Sequence, residues 1–340
     1  MADTVVGLMI VEECVRAVEV RRPASKNPVL VRYGEVALPP GAAGDSEVID
    51  SDAVALALRQ LWAESKLSTK RVVLGLGNRR ILVRDHSVPL LPLDQIRKAL
   101  PFQVQDMLPV PVDEAILDFY PLAQEGETAR GLLVVAVSDM VAGLIDTVHK
   151  AKLTVDRVDL APFGLVRAAA RHVDPEKTVL VAHVGAHTSY LVVMRGGAPL
   201  LARIVPGGVP VQQLESGRHR AEIEHLMTVG AAAPAAAAED TVAATPPAAE
   251  GRLIAEFAMR VRSTAEFFVG RNPGSSLDEL YVCGEGACHE DVLPAVERSV
   301  GLPSKELTIA DVLGAAKDVD IAGGGLSTIT PVGLALRGGS

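Results

Sequence analysis

Val179–Gly208 reads VLVAHVGAHTSYLVVMRGGAPLLARIVPGG, and the fold is decided by how this stretch is parsed. Val179–Val184 is apolar and β-branched, Gly185 interrupts it, and a second apolar run covers Tyr190–Met194. Gly196 and Gly197 turn the chain again before a third run at Leu200–Val205. Short β-rich runs separated by glycine-bearing turns predict an antiparallel meander. The N-terminus repeats the unit: Val5–Ile10, a turn at Val11–Glu13, Cys14–Val20, then Val29–Val36 after a Pro-Ala-Ser-Lys-Asn-Pro loop. Two copies about 175 residues apart predict an internally duplicated α/β fold whose halves face one cleft.

Composition narrows the function classes. A chain of 340 residues has room for about two domains of ordinary size. Hydrophobic residues make up 49% and aromatic residues 3%, so the core must be built from Val, Leu, Ile and Ala. A net charge of −9 argues against nucleic acid as a partner, because that affinity comes from Lys and Arg on phosphate. Arg21–Arg22 and Arg79–Arg80 read as solvated loop charges. Cys14, Cys283 and Cys288 make no disulfide framework and fit a reducing compartment. Cys283, Cys288 and His289 match no common zinc spacing and lack a fourth ligand, so no metal is expected there. No run reaches the 18 apolar residues of a spanning helix, and no leader pattern opens the chain.

Further along, Ser51 or Asp52 is expected to cap a helix carrying Val54, Leu56, Leu58, Leu61 and Trp62, and Lys70–Leu76 reads as a buried strand. Ile81–Val88, Leu93–Leu108, Ala115–Leu122, Gly131–Val137, Asp139–Lys152 and Thr154–Leu160 alternate as strand-helix-strand-strand-helix-strand, predicting an inserted α+β subdomain with one sheet. Pro101 is expected to kink or split its helix. Ala161–Arg171 reads as helix, as does Val209–Met227. Residues 229–250, rich in Ala and Pro, read as a surface insertion. Ile254–Val269 is an amphipathic helix, Glu279–Cys283 a strand, Glu290–Val300 a helix, Ser304–Ile309 a short strand and Pro331–Arg337 a terminal helix.

Several stretches together resemble one family. YGEVALPPGA (33–42), SVPLLPLDQIRKALPFQVQDMLPVPVDEAILDFYPL (87–122), AHVGAHTSYLVVMRGG (182–197), EFFVGRNPGSSLDELYVCGEGA (266–287) and VGLALR (332–337) are similar to the PilM family of type IV pilus assembly proteins. The resemblance spans nearly the whole chain apart from residues 229–250. It implies a duplicated actin-like, ribonuclease H-like fold: two lobes around a nucleotide cleft, with a small subdomain inserted in the first lobe as in FtsA. Residues 1–80, completed by 161–177, are then the first lobe, 81–160 the insert and 178–340 the second lobe. The implied partner is the cytoplasmic N-terminal tail of a PilN-like protein. Pilus motor ATPases and inner-membrane platform proteins follow, at the inner face of the cytoplasmic membrane. Within the insert, Phe102, Met107, Leu108, Val110 and Val112 are the candidate contacts, since this proline-rich end has more apolar groups than a short loop buries.

The nucleotide turns depart from the family pattern. Where the resemblance implies Asp-hydrophobic-Gly-Ser-Ser-x-hydrophobic-Lys, this chain has Met9, Ile10, Val11, Glu12, Glu13, Cys14, Val15 and Arg16. Magnesium takes oxygen ligands, and Met9 offers a thioether. Val11 replaces the glycine that lets backbone approach phosphate. A carboxylate about 4 Å from a phosphate charge opposes it by about 4 kcal/mol at an effective dielectric near 20, as much as a millimolar ligand gains by binding. In the second turn His183 stands for the Asp, while Gly185, Thr188 and Ser189 persist; the adenosine-side loop is Gly284-Glu285-Gly286. The expected protein is a non-catalytic actin-like scaffold with no cofactor. The alternatives are an active ATPase, with Glu12 or Glu13 taking over magnesium, and a kinase of the same superfamily.

Overall fold

The computed structural model describes residues 4–210, 247–315 and 322–336. Strands β1 (Thr4–Ile10), β2 (Cys14–Arg21) and β3 (Val29–Ala37) form the first meander. A small hairpin, β4 (Ala43–Gly44) and β5 (Glu47–Val48), precedes helix α1 (Ser51–Ser65). The cap of α1 is Asp50, one residue before the expected Ser51 or Asp52; its carboxylate accepts from the backbone N–H of Asp52 and Ala53. Strand β6 (Arg71–Leu76) follows. The next segment holds β7 (Leu82–Pro89), α2 (Leu93–Val104), β8 (Ala115–Glu125) and β9 (Thr128–Val137). Helix α3 (Ser138–Lys150), β10 (Thr154–Leu160) and α4 (Ala161–Ala169) complete the first half.

The second half opens with β11 (Val179–His183), β12 (Thr188–Arg195) and β13 (Ala198–Pro206). After α5 (Pro247–Arg271) come β14 (Glu279–Cys283), α6 (Val292–Val300), β15 (Ser304–Glu306), α7 (Ile309–Val312), β16 (Gly314–Ala315) and α8 (Ile329–Ala335). Val209 and Pro210 are not helical, and the rest of the expected helix at 209–227 lies outside the described residues. So does the Ala/Pro insertion, except for its last four residues, 247–250, which already belong to α5.

The duplication is visible in the strand orders. One sheet runs β10-β6-β1-β2-β3-β16 and the other β13-β12-β11-β14-β15. In each, the first strand of the meander pairs antiparallel with the second and parallel with a later crossover strand, β6 or β14. The meanders thus lie in separate sheets, one per lobe, as the actin-like reading requires. One face of the first sheet packs on α1 and α3 through Leu8, Leu58, Leu61, Leu144 and Val148. The other face shares a core with the second sheet, in which α4 and α8 contribute Leu165, Val332 and Leu334.

Two expected placements change. Thr154–Leu160 is not a fourth strand of the insert: β10 pairs parallel with β6 at the edge of the first sheet. A parallel neighbour requires a covering crossover, and α3, with Met140, Val141 and Leu144 buried on that sheet, supplies it. The insert sheet therefore has three strands, β7-β9-β8, closed by α2 through Val88, Ile96, Leu100, Val104 and Phe119. The C-terminal part also leaves the second sheet. Gly314 pairs with Val29 of β3, and α8 is buried along its whole length, as an all-round apolar helix must be. Finally, α2 continues through Pro101 to Val104 and then tightens into a 3-10 turn at Gln105–Met107.

Candidate functional site

Three loops meet at the cleft. The first joins β1 to β2 and is closed by Val11 N–H donating to the Cys14 carbonyl at 3.0 Å. The second joins β11 to β12, and the third follows β14 as Gly284-Glu285-Gly286. Gly286 N–H donates to the Val184 carbonyl at 2.9 Å, tying the second and third loops together. Val11, Glu12, Glu13, His183, Thr188 and Glu285, all singled out from sequence, line one small cavity. Arg16 does not line it but contacts the lining residue Glu285, while Gly185, Gly284 and Gly286 build the loop backbones. A Cβ at Gly185 would overlap the Thr188 carbonyl oxygen, so this glycine is needed by its own loop.

Arg16 is the hub of the charge network. Its side chain is 6% exposed; Nε donates to Glu35 Oε2 at 2.5 Å, and Nη1 lies 3.4 Å from Glu285 Oε2 and 3.3 Å from the Ser327 carbonyl. Burial works against its charge, but Glu285 and Glu35 hold the guanidinium protonated. Burial alone would raise the Glu285 carboxyl; Arg16 and then His183 carry it below its ordinary value. Burial pushes His183 down to about 4, with Glu285 opposing. His183 is therefore a neutral imidazole at pH 7, packed in parallel on Tyr190 with centroids 5.1 Å apart, its Nδ1 3.1 Å from the Thr330 hydroxyl. Its 3.9 Å approach to Glu285 is not an ion pair in that state. Buried Cys283 lies 3.9 Å from the same Nδ1, and Cys288 is exposed, so the two cysteines differ in environment.

Residues that sequence reasoning missed close the cleft. The two-residue turn Asp45-Ser46 joins β4 to β5 with φ of 51° and 57°, the positive pair that a tight hairpin requires. Its tip reaches the second lobe: Thr188 Oγ1 donates to Asp45 Oδ1 at 3.0 Å, and Arg79 Nε sits 2.8 Å from the same oxygen. Asp45 N–H donates to Glu12 Oε2 at 3.3 Å. Tyr190, from the second lobe, fills the remaining space against Gly77 of the first, where a Cβ would overlap its hydroxyl. The Gly44-Asp45-Ser46-Glu47 run was a legible turn signal; that it enters the cleft was not.

The actin-like fold implies a nucleotide with magnesium. The cavity between the turns is about 20 Å³, room for one water, whereas ligand pockets run to roughly 300 Å³ and more. With Met9 at the expected ligand position and carboxylates in the phosphate turn, the residues present do not fit that group.

A second concavity is far larger, about 460 Å³, at the junction of insert, α4 and second lobe. Tyr120 of β8 and Phe163 of α4 meet there with centroids 5.2 Å apart, opposite the Gly196–Pro199 turn. The proposed contact residues lie elsewhere on the insert: Phe102 is 81% exposed and Met107 exposed, Val110 and Val112 are half-buried, and Leu108 packs on the insert's own core.

Comparison with known proteins agrees with this architecture. Residues 7–218 match the family described as type IV pilus assembly protein PilM. Among solved structures, the chain is similar to one described as a PilM-PilN type IV pilus biogenesis complex, with a TM-score of 0.78, 23% identity and 98% of both chains covered. It is also similar to the ethanolamine utilization protein EutJ from Carboxydothermus hydrogenoformans, with a TM-score of 0.52, 14% identity, and 99% of this chain and 91% of that one covered.

Proposed function

The chain belongs to the PilM family of type IV pilus assembly proteins, and on that premise we propose that it is a non-catalytic, actin-like scaffold of the assembly machinery. The carrying observation is the cleft: about 20 Å³ between the turns, held shut by Asp45, Tyr190 and the Arg16–Glu285 contact. The protein then acts by contact, not by turnover. Among the described residues no helix is long and apolar enough to cross a membrane. In this reading it works at the inner face of the cytoplasmic membrane through partners: a PilN-like protein first, then motor ATPases and platform proteins.

The PilN-like tail is taken as an extended peptide. The groove walled by Tyr120 and Phe163 supports that placement, with rings to receive an apolar side chain and the insert on one side. Phe102, Met107, Leu108, Val110 and Val112 are the competing surface. Calorimetry with a synthetic tail peptide, in the absence of nucleotide, tests the scaffold reading. Binding at micromolar concentration is expected, with ATP and magnesium binding no tighter than about 1 mM. Micromolar magnesium-ATP, or peptide binding that requires it, would overturn the reading. Loss of binding in Tyr120→Ala with retention in Val110→Asp assigns the groove, and the opposite pattern assigns the apolar end of the insert.

A further inference from the structure

We propose that the large groove reads a carboxylate: its peptide carries an aspartate or glutamate four residues from the apolar side chain seated at Tyr120 and Phe163, and Arg171 pairs with that acid. The inference rests on the groove placement made above. It adds the charge, the spacing and the reading residue.

The first observation is charge. The groove is lined by Arg167 and Arg171 and, among the described residues, by no carboxylate. The two arginines are not equivalent. Arg167 Nη2 donates to Asp159 Oδ2 at 2.5 Å, so its charge is balanced within the protein. Arg171 donates from Nε to the Val312 carbonyl at 2.8 Å and from Nη2 to the Lys26 carbonyl at 2.6 Å. Those neutral acceptors hold the guanidinium in place without answering its charge. Partial desolvation lowers its pKa, and among the described residues no carboxylate opposes that shift. Asp311, on the neighbouring α7, is engaged by Thr308 and His172. In a chain of net charge −9, a concavity of about 460 Å³ whose unbalanced charge is positive favours an anionic group.

The second observation is spacing. Phe163 and Arg167 lie on α4, and Arg171 follows one turn later, its N–H donating to the Ala168 carbonyl at 3.1 Å. The ring and the unbalanced guanidinium are thus eight residues apart on one stripe, about 12 Å at helical rise. Side chains on one face of an extended peptide recur every second residue, so positions i and i+4 span about 13 Å and match. Separations of two or six residues, about 7 Å and 20 Å, do not.

The third observation concerns the form of the occupant. Strand β13 is at the edge of its sheet, and Ala198 and Pro199 at its start line the groove. A sheet edge favours an extended occupant, which adds main-chain bonds to the side-chain contacts.

The test pans a random peptide display library on the full chain, then measures a synthetic copy of the selected sequence by calorimetry without nucleotide. We expect an acidic residue four positions from a leucine, isoleucine or phenylalanine, with Kd at or below about 100 μM. Tyr120→Ala should weaken binding by about tenfold. Arg171 is exposed, so Arg171→Gln, or the amide in place of the peptide's acid, should weaken it by about fivefold, and added salt should narrow that gap. Arg262→Gln, which removes a surface arginine paired with Glu266, should leave binding unchanged. Arg171→Glu should switch the selected residue from acidic to basic at the same position, a change of preference that a loosened fold does not produce. The acid-to-amide ratio on the unaltered chain decides even where the Arg171 variants lose their hold on Lys26 and Val312. Equal affinity for acid and amide peptides, an acid effect that survives Arg171→Gln, or selection without an acid at that spacing overturns the inference. If Tyr120→Ala still abolishes binding in those cases, the groove stands and the charge reading alone falls. Peptides indifferent to Tyr120→Ala overturn both.

Discussion

The turn between β1 and β2 and the turn between β11 and β12 hold equivalent places in two sheets of the same strand order, yet their sequences have diverged in opposite ways. The first has no glycine and carries Val11, Glu12 and Glu13; the second keeps Gly185, Thr188 and Ser189. A motif reading takes the second as the better-preserved phosphate loop. The geometry says otherwise. Gly185 is confined by the Thr188 carbonyl, its own carbonyl accepts from Val209 N–H at 2.9 Å, and its N–H donates to Ser189 Oγ at 3.2 Å. Thr188 in turn donates across the cleft to Asp45. These residues are held by folding requirements, and the first turn is tied in its own way, by Val11 N–H to the Cys14 carbonyl and Asp45 N–H to Glu12, while presenting carboxylates to the cleft. A retained glycine is thus no sign of a retained ligand.

The largest expected effect tests whether an internal ion pair has taken over the cleft. Arg16→Ala leaves the Glu285 carboxylate without its countercharge in the cleft and should cost about 3 kcal/mol in denaturant unfolding. Arg16→Met combined with Glu285→Leu should recover much of that loss; if the double variant is as unstable as the single, the pair is not the unit that matters. Next, Gly185→Ala should cost about 3 kcal/mol through backbone overlap. A near-neutral result would return Gly185 to the status of a ligand-binding relic.

The third prediction is a pH dependence. His183 is depressed to about 4 in the folded chain against an ordinary 6.5. Its contribution is therefore present above about 6.5 and lost as pH falls toward 4, because the unfolded chain takes up the proton first. Stability should drop by about 2 kcal/mol between pH 7.5 and pH 5, and His183→Asn should flatten that slope. His187 has the opposite sign: its bond to Glu13 raises it, so its contribution is complete below 6.5 and fades at higher pH. At 51% exposure its share is too screened to cancel the slope. The smallest effect is Val11→Gly, below about 1 kcal/mol and without gain of magnesium-ATP binding, since the Asp45 hairpin and Tyr190 still fill the space.

Much of the fold was legible. The strands of both meanders fell within one or two residues of their observed ends, because β-branched runs and glycine turns are local signals. The same locality explains the misses. Thr154–Leu160 was correctly a strand but in the wrong sheet, since a strand's sequence does not name its neighbour. Glu12, Glu13, Arg16, His183 and Glu285 were singled out through turns that could be aligned with a pattern, and the structure brings them together at one cleft. Asp45, Tyr190 and His187's approach to Glu13 were not singled out, because their roles come from the opposite lobe.

What the sequence determined by itself was the duplicated α/β architecture and the insert, written in periodicity and turn residues, the family, carried by the likeness of whole stretches, and the residue identities by which the turns depart from the family pattern. Only the tertiary structure decided that the cleft is shut, that Arg16 and Glu285 meet 269 positions apart, and that β10 and α8 return to the first lobe. Pairing partners and cavity volume depend on which surfaces the two sheets turn toward each other. That is set by packing the whole core at once, and no single stretch of chain encodes it.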